Sequence, residues 1–401
     1  MARMLILGII SGIGLSYLIG WRRTTLSGRI FIITEWFSPG YKAGGPIRSI
    51  QNMVEALPFE FYILTTNRDW GSDAPYADVP CGQWQQHNDH TRVWYHGEQQ
   101  LNANLIKELM EEVQPSVLYL NSMFSWSFTW RPILTAKKMN FSGKIILAPR
   151  GMLHPNAMMI KSLKKKLFLK CIQFLDWSKN LHWQATSEEE AKYIQAHFGQ
   201  KVSLSITENL PTFSLFKSPS EQVKNRWLMV NRLSAEKGVL EGLQWWVSHP
   251  ISIEASLTII GPASNASYQA QVEKIIQDHP ERKMVWLGDL PPARVTEWMQ
   301  QSDFFYAPTR GENYGHAIAE ALFMGLPAVV ANGTPWQNLN EKKWGWNFAH
   351  HESALHKVLD EVMSLPSNQY QEMQSALQVA REEETKKIHN SQSWILLFGT
   401  K

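Results

Sequence analysis

The sequence predicts an α/β protein made of two doubly wound domains that face a cleft, preceded by an N-terminal apolar helix. Three observations support this prediction. The chain has 401 residues, which is too many for one hydrophobic core. Its composition, 44% hydrophobic and 19% charged, is that of a globular protein. From residue 29 onward, short apolar runs alternate with longer amphipathic ones, and this pattern restarts in the second half.

The N-terminal segment predicts a membrane anchor. Residues 4–21 contain no charged residue and are followed at once by Arg22 and Arg23. As a helix this segment would reach about 27 Å, close to the roughly 30 Å of a bilayer's hydrocarbon core. We therefore expect residues 1–28 to be the anchor and the globular part to lie on the cytoplasmic side of the inner membrane. A buried core helix and a cleaved signal peptide are the alternatives, although no Ala-x-Ala cleavage site follows.

Residues 29–210 are expected to form the first domain. Its apolar runs are short, and the intervals between them leave room for crossover helices. A further helix is expected from about Glu188. The strand-like runs are RIFIIT (29–34), FYILTT (61–66), SVLYLN (116–121) and KIILAP (144–149), and the segments LHWQATS (181–187) and KVSLSITENLP (201–211) close this half.

Residues 211–385 are expected to form the second domain, and residues 386–401 a C-terminal tail. The Ser- and Pro-rich segment 211–222 is the predicted linker. Ligands of open α/β sheets bind beyond the carboxyl ends of the strands, so the loops after the strands are the places to search for a site. The strand-like runs are RWLMVNRLSAEKG (226–238), ASLTIIG (255–261), MVWLGDLP (284–291), DFFYAPT (303–309) and LPAVVAN (326–332).

Two of these loops have the chemistry of a phosphate site. Gly44 and Gly45 follow the first strand, and a helix is expected to begin near Pro46, a residue suited to a first helical turn. Glycines there let backbone N–H groups approach an oxyanion. Arg232 and Lys237 flank the loop after the first strand of the second half. Two cations on one loop can neutralise a diphosphate, although a Gly-Gly turn and ordinary surface charges are the plain alternatives.

A third loop carries two carboxylates. Glu312 is expected on the loop after DFFYAPT, and Glu320 inside a helix that runs from about His316 to Phe323. A carboxylate buried among apolar helix residues needs a partner, and a ribose diol can be that partner. Glu312, with the backbone amides of residues 313–315 behind it, is suited to a sugar's hydroxyl groups. The alternative is a solvated helix face.

The segment RGENYGHAIAEALFMGLPAVVAN (310–332) resembles the E-x7-E segment of retaining glycosyltransferase family 4. That family has the GT-B fold of two Rossmann-like domains. The order of parts agrees, since the Gly-Gly loop precedes the Arg-x4-Lys-Gly loop and the two glutamates. WLGDLPPARVTEWMQQSDFFYAPT (286–309) also agrees, and NGTPWQNLNEKKWGW (332–346) resembles a bacterial polysaccharide-assembly branch. The resemblance covers residues 29–385.

The resemblance implies a role for each matched residue. The first domain would bind the acceptor and the second the nucleotide-sugar donor. Gly44 and Gly45 would approach the donor phosphates, and Arg232 and Lys237 would stabilise the leaving diphosphate without a metal ion or a cofactor. Glu312 would contact the donor sugar. The remaining donor-binding residues would be Glu320, on the nucleotide ribose, and Asn313, Tyr314 and Gly315.

The acceptor side departs from the family pattern. Many relatives have a histidine just after the strand equivalent to KIILAP, whereas this sequence has Arg150 there and His154 four residues later. Arg150 cannot act as a general base, but it could bind the donor or an acidic acceptor. Asn121, at the end of another strand, is the third candidate. Asn209 falls near the family's Asn-Gly turn but lacks the glycine, so it is left out of the expected site.

Other features bear on partners. Residues 160–177 form a basic amphipathic segment in which Leu163, Leu167 and Phe174 recur at helical spacing among lysines. Such a helix lies either on anionic lipid or in solvent. Trp126 and Trp130 have the spacing of either a sugar-stacking pair or core residues. The net charge of +3 does not indicate nucleic acid, and two cysteines fit a reducing compartment.

The sequence thus predicts a membrane-associated, metal-independent retaining glycosyltransferase of the hexosyltransferase type, acting in cell-surface polysaccharide biosynthesis. It would move a sugar from a nucleoside diphosphate to a glycan or lipid-linked acceptor. One alternative is a GT-B sugar-nucleotide epimerase, but no matching acid/base carboxylates are found in the first half. The other is a non-catalytic glycan-binding or scaffold protein, which would not need Arg232, Lys237, Glu312 and Glu320 together.

Overall fold

A computed structural model describes residues 28–97, 101–159, 162–217, 225–250, 255–389 and 392–399. The predicted anchor, residues 1–28, lies outside this range except for its last residue, so the N-terminal helix stays a prediction. Within the described ranges no helix is both long and apolar enough to cross a bilayer.

The first half forms an eight-stranded sheet. Its strand order is β3-β4-β2-β1-β5-β6-β7-β8, and all neighbours are parallel except β3 and β4. Without the edge strand β3, this is a doubly wound order in which the strand order reverses between β1 and β5. The strands are β1 (Arg29–Ile33), β2 (Glu60–Thr66), β3 (Trp84–Asn88), β4 (Thr91–His96), β5 (Val117–Leu120), β6 (Lys144–Leu147), β7 (His182–Ala185) and β8 (Ser203–Ile206).

Helices cover both faces of this sheet and bury a hydrophobic core on each. A π-helical turn (Trp126–Trp130) precedes the third helix, and Trp130 is fully buried there, as the core alternative predicts. The helices are α1 (Gly45–Ala56), α2 (Ala103–Val113), α3 (Arg131–Lys138), α4 (Pro155–Met159), α5 (Ser162–Phe174) and α6 (Glu188–Phe198).

The second half forms a six-stranded, all-parallel sheet of order β11-β10-β9-β12-β13-β14. The strand order reverses between β9 and β12. Two further cores lie on its faces. The strands are β9 (Arg226–Val230), β10 (Ser256–Ile260), β11 (Met284–Trp286), β12 (Phe304–Ala307), β13 (Ala328–Ala331) and β14 (Gly345–Phe348).

The last helix returns to the first sheet. In α13, Trp394 Nε1 donates to the carbonyl of Glu208 at 3.1 Å, and the ring of Phe398 packs on Phe59 and Tyr119. Part of the segment expected as a tail therefore completes the first core. The helices of this half are α7 (Val239–Ser248), α8 (Ala266–Asp278), α9 (Pro292–Gln301), α10 (His316–Phe323), α11 (Glu352–Met363), α12 (Ser367–His389) and α13 (Gln392–Phe398), with short 3₁₀ turns at 235–237 and 280–282.

The linker is tied to the second sheet by a buried carboxylate. Asp303 is fully buried and accepts hydrogen bonds from Arg226 Nη2 at 2.9 Å and Nε at 3.1 Å. Lys217, from the segment 211–217 that has no regular structure, lies 3.2 Å away through its Nζ. The ion pairs fix the start of the second half, while the exact domain boundaries stay a prediction.

Candidate functional site

The two sheets bring the predicted loops to their carboxyl edges, at the points where the strand order reverses. Gly44 follows β1 and Asn121 follows its neighbour β5. Arg232 follows β9 and Glu312 follows its neighbour β12. Because each pair of loops diverges at its reversal point, a crevice forms there in each half.

The Gly-Gly loop lies against the second half. Gly44 has φ +68°, a conformation that favours glycine, and begins α1, whose first turn contains Pro46. A Cβ at Gly45 would lie 3.6 Å from Cδ2 of His316, the first residue of α10. Ser49 Oγ donates to the carbonyl of Gly45 and lies 3.0 Å from His316 Nε2. Ser49 therefore connects the first turn of α1 to the first residue of α10.

Lys237 and Glu312 form a close ion pair. Lys237 Nζ donates to Glu312 Oε1 at 2.6 Å, and both side chains are largely buried. Gly238 has φ +60°, and a Cβ there would lie 2.2 Å from the carbonyl oxygen of Pro308. Only glycine therefore allows the two loops to approach this closely.

Arg232 is covered by an aromatic ring from the first half. Its guanidinium lies 4.4 Å from the ring centroid of Trp70, a cation–π contact. Its Nε is buried and has no hydrogen-bond partner among the residues that the structure describes. Asp69, next to Trp70, accepts hydrogen bonds from the backbone N–H groups of Tyr41 and Lys42, which fixes the Gly-Gly loop relative to Trp70.

Glu320 lies inside α10, as predicted, and its side chain is largely buried. Only 14% of its side chain is exposed, so Glu320 does not lie on a solvated face. Arg48 of α1 is close, with Nε 3.5 Å from Oε1, and that oxygen accepts no hydrogen bond from the described part of the chain. Burial raises the pKa of Glu320, and Arg48 opposes this. A buried carboxylate oxygen without a donor is suited to accept from a ligand hydroxyl.

The residues between the two glutamates also cross the cleft. Asn313 Nδ2 donates to Thr186 Oγ1 of the first half at 2.9 Å. Tyr314 is packed edge-on against His316 and Trp336, and Trp336 Nε1 donates to its carbonyl at 2.5 Å. Gly315, at φ +80°, begins α10. These contacts hold the backbone of the loop in place.

Arg150 is held by three neutral oxygens. Its Nε donates to Asn121 Oδ1 at 2.6 Å, its Nη2 to Tyr119 Oη at 2.5 Å, and its Nη1 to Asn209 Oδ1. Tyr119 in turn donates to Gln184 at 2.6 Å. Burial raises the pKa of Tyr119, and Arg150 opposes this. Among the described residues no carboxylate is hydrogen-bonded to this guanidinium. Its positive charge is therefore suited to bind an anionic ligand.

The loop after β6 is fixed by Glu190, which is buried. Its carboxylate accepts from the backbone N–H of Gly151 at 2.5 Å and from the N–H and hydroxyl of Thr186 at 2.7 and 2.6 Å. His154 lies on this loop, with its ring edge-on to Tyr193 at 5.3 Å. The structure therefore brings Arg150 and Asn121 together, whereas His154 packs on α6 instead.

His316 is a poor acid or base near neutral pH. Burial, with the charges of Arg150 and Arg48, lowers the pKa of His316 to about 3. Among the residues that the structure describes, no three His, Cys, Asp or Glu side chains are grouped to hold a metal ion.

Five side chains of the cleft were missed by the sequence reasoning: Arg48, Trp70, Glu190, Asn209 and His316. The Ser-x-x-Glu pattern of 187–190, a helix-start signal, could have indicated Glu190. Asn209 was considered and left out. The other three gave no local signal, since each acts only across the cleft.

Comparisons with known proteins agree with this geometry. Residues 212–379 match the sequence family described as "Glycosyl transferases group 1". No curated protein matches the chain by sequence. Solved structures are similar over nearly the whole chain, at low identity, and they show that the fold is GT-B, as expected.

Three of these structures illustrate the likeness. Sucrose-phosphate synthase of Thermosynechococcus elongatus is 12% identical, with a TM-score of 0.68 over 93% of this chain and 100% of its own. HepE of Anabaena, in complex with UDP-glucose, is 15% identical, with a TM-score of 0.66 over 92% and 99%. WaaG, a glycosyltransferase involved in lipopolysaccharide biosynthesis, is 15% identical, with a TM-score of 0.61 over 93% and 100%.

Proposed function

We propose that this protein is a retaining glycosyltransferase that moves a sugar, a hexose, from a nucleoside diphosphate to a glycan or lipid-linked acceptor in cell-surface polysaccharide biosynthesis. The match of residues 212–379 to glycosyl transferases group 1 supports the reaction class. The donor class is supported by HepE, whose structure contains UDP-glucose. The acceptor class is suggested by WaaG, which is involved in lipopolysaccharide biosynthesis.

One observation carries the proposal: Arg232, Lys237, Glu312 and Glu320 lie on the loops and helix beyond β9 and β12, where the strand order reverses. Two cations suit the diphosphate, whose negative charge increases as the bond to the sugar breaks. The buried Glu320 suits the ribose diol. These groups need no metal ion for that role.

Two of these charges pair with each other, and a third has a cation nearby. Lys237 is paired with Glu312, and Arg48 is close to Glu320. Unpaired charges in a largely buried site would be costly, so these contacts stabilise the cleft. We infer that the donor separates them, with the diphosphate taking Lys237 and the sugar and ribose hydroxyls taking the two glutamates.

Neither His316 nor Arg150 is suited to deprotonate the acceptor. His316 is neutral near pH 7, because burial lowers its pKa to about 3, and its Nε2 is hydrogen-bonded to Ser49 Oγ. Arg150 cannot accept a proton. The leaving phosphate is then the available base, on the same face as the incoming hydroxyl, and this arrangement favours retention at the anomeric carbon.

The first experiment is a binding titration of UDP, GDP and ADP to the full-length protein in detergent, by calorimetry and thermal shift. One nucleotide is expected to raise the melting temperature by mass action, since a ligand at 100 times its Kd stabilises by about 2.7 kcal/mol. Glu320→Ala removes an acceptor for hydrogen bonds worth about 1.5–3 kcal/mol, so Kd should rise roughly 10- to 100-fold. Glu352→Ala, an exposed carboxylate on α11, is the matched control and should bind as the native protein does.

The matching nucleotide sugars then test turnover. Product whose anomeric configuration equals that of the donor, measured by NMR, supports the retaining reaction. If no nucleotide binds, or if Glu320→Ala binds as well as the native protein, the donor site is wrong. Binding without transfer to any glycan would instead favour the scaffold alternative, and epimerised nucleotide sugar the epimerase.

A further inference from the structure

The exposed apolar side chains of the protein are concentrated on one surface. In the described parts of the chain, eleven large hydrophobic side chains are exposed, and six of them lie between residues 126 and 175. Leu163 and Phe174 are 80% and 89% exposed. An apolar patch of this kind, unlike single exposed residues, indicates an interaction surface. The six are Trp126, Met159, Leu163, Leu167, Phe174 and Leu175.

Helix α5 carries most of this surface, in addition to the face that it packs on the core. Leu169 and Ile172 are buried in the first core, while Leu163, Leu167 and Phe174 point away from it. At about 100° per residue, those three outward side chains lie within about 40° of one another around the helix axis. A helix that is only solvated on its outer face would place polar residues there.

Lysines border this apolar stripe. Lys166 and Lys170 lie within about 60° of Leu163 around the axis, and both are exposed, as is Lys164. From 150 to 187 the only acidic residue is Asp176. We call Leu163, Lys166, Leu167, Lys170 and Phe174 together the α5 face.

The α5 face is held rigidly and extended by aromatic residues. Lys165 Nζ donates to the carbonyl of Ala157 at 2.7 Å and lies 5.0 Å from the ring centroid of Phe124, which ties α5 to α4 and to the segment after β5. Trp126, itself 44% exposed, contacts Trp177 just beyond the end of α5, with ring centroids 5.7 Å apart. Tryptophans favour the water–lipid interface.

The composition of the α5 face distinguishes between possible occupants. Lysine is depleted from the buried centres of protein–protein interfaces, whereas here it is interleaved with the apolar stripe. Apolar side chains with lysines beside them match a bilayer whose headgroups are anionic, since each lysine near such a surface is attracted to it. We propose that the α5 face docks on an anionic lipid bilayer.

Docking there would orient the cleft, a consequence that rests on the proposed function. Helix α4 begins at Pro155, directly after the loop that carries Arg150 and His154. The α5 face and the acceptor side of the cleft are thus neighbours in the chain. A lipid-linked acceptor could reach Arg150 from the bilayer without leaving it.

The test uses the full-length protein with Cys81 and Cys171, both exposed, replaced by serine. An environment-sensitive fluorophore is attached at Leu163→Cys, and vesicles of phosphatidylcholine are compared with vesicles containing phosphatidylglycerol. The N-terminal segment can hold the chain on either lipid, so the readout is local. On anionic vesicles the emission should shift to the blue and be quenched by spin-labelled lipid. A label at Leu215→Cys, 76% exposed in the linker, is the matched control and should not respond.

A charge variant tests the lysines separately. The triple substitution Lys164→Gln, Lys166→Gln and Lys170→Gln should abolish the shift at lipid compositions where the native α5 face is fully inserted, because three lysines contribute on the order of 100-fold in binding to an anionic surface. Replacing the exposed Lys201, Lys357 and Lys386 instead should leave it unchanged. Circular dichroism checks that each variant is folded.

Two results would overturn the proposal. One is an unshifted label at 163 on anionic vesicles. The other is a shift that appears without lipid as the protein concentration rises, which would identify the α5 face as an interface between two copies. Because neither readout depends on turnover, this test and the nucleotide titration can fail independently.

Discussion

Asp303→Asn is expected to destabilise the second half of the chain substantially. The carboxylate is fully buried and accepts two hydrogen bonds from the guanidinium of Arg226 and one from its backbone N–H, while Lys217 Nζ donates to it at 3.2 Å. Burial would raise the pKa of Asp303, but Arg226 and Lys217 outweigh it and hold that pKa below its ordinary value of 3.8. Burial lowers the pKa of Lys217, although Asp303 opposes this.

Removing one partner of a buried ion pair costs about 3–5 kcal/mol. Because 39% of the Arg226 side chain is exposed, water can partly solvate its freed charge, and we expect the low end, about 3 kcal/mol. In a domain of 150–250 residues, 1 kcal/mol shifts Tm by about 2–4 °C, so the transition of the second half should fall by about 6–12 °C. Calorimetry and urea unfolding measure this. The exposed Asp278→Asn is the control and should change stability by less than about 1 kcal/mol.

The same pair predicts a pH dependence. Since the pKa of Asp303 is lower in the folded protein than in the unfolded chain, the unfolded chain binds more protons at acid pH. The stabilisation is present above the ordinary value of 3.8 and is lost as the pH falls through the folded pKa. The difference between native and Asp303→Asn should therefore be full at pH 7 and shrink below about pH 4. A loss under about 1 kcal/mol at pH 7, or a difference that persists unchanged in acid, would refute this reasoning.

Three further predictions concern the cleft. Gly238→Ala should weaken nucleotide binding at least about tenfold, because its Cβ would displace Pro308 and the Glu312 loop. Gly288→Ala is the control. Gly288 has φ +72° and nothing within 4 Å of an added Cβ, so we expect backbone strain of about 1–2 kcal/mol and native affinity for the nucleotide. Equal calorimetric affinities would contradict this. Arg150→Lys should lower kcat for transfer about 10- to 100-fold and leave the nucleotide Kd unchanged, since lysine cannot make the three hydrogen bonds of the guanidinium. Native activity would show that these hydrogen bonds are dispensable. The ring of His316 should not titrate between pH 5 and 8 by NMR, given its pKa of about 3, and a midpoint in that range would be inconsistent with its burial.

The central strands of both sheets could be predicted from sequence because each is a continuous apolar run buried on both faces. The edge strands β3 and β14 were missed for the opposite reason, and β4, next to β3, was missed because Arg92 and His96 limit its apolar run to three residues. β3 reads WQQHN and is only half-buried, and β14 reads GWNF, so neither has a run long enough to stand out. The packing of α13 on the first sheet was missed because its Phe398 contacts Phe59, a residue far away in the sequence.

The site was predicted in part. The helix that carries Glu320 runs from His316 to Phe323 as expected, and Lys237 and Glu312 meet although 75 residues separate them. The location of these residues followed from the rule that ligand sites lie beyond strand ends at reversals of strand order. Their roles in binding and transfer stay predictions until nucleotide binding is measured.

By itself, the sequence predicted the central strands, the helices that begin near Glu188 and His316, and the loops that carry Arg232, Lys237 and Glu312, because periodicity and glycine-bearing loops are local properties. Only the tertiary structure decided which charge faces which: Arg48 near Glu320, Trp70 over Arg232, and Arg150 on Asn121. It also decided that Leu163 points away from the core. The physical reason is that these contacts depend on the relative position of two sheets, which no local pattern encodes.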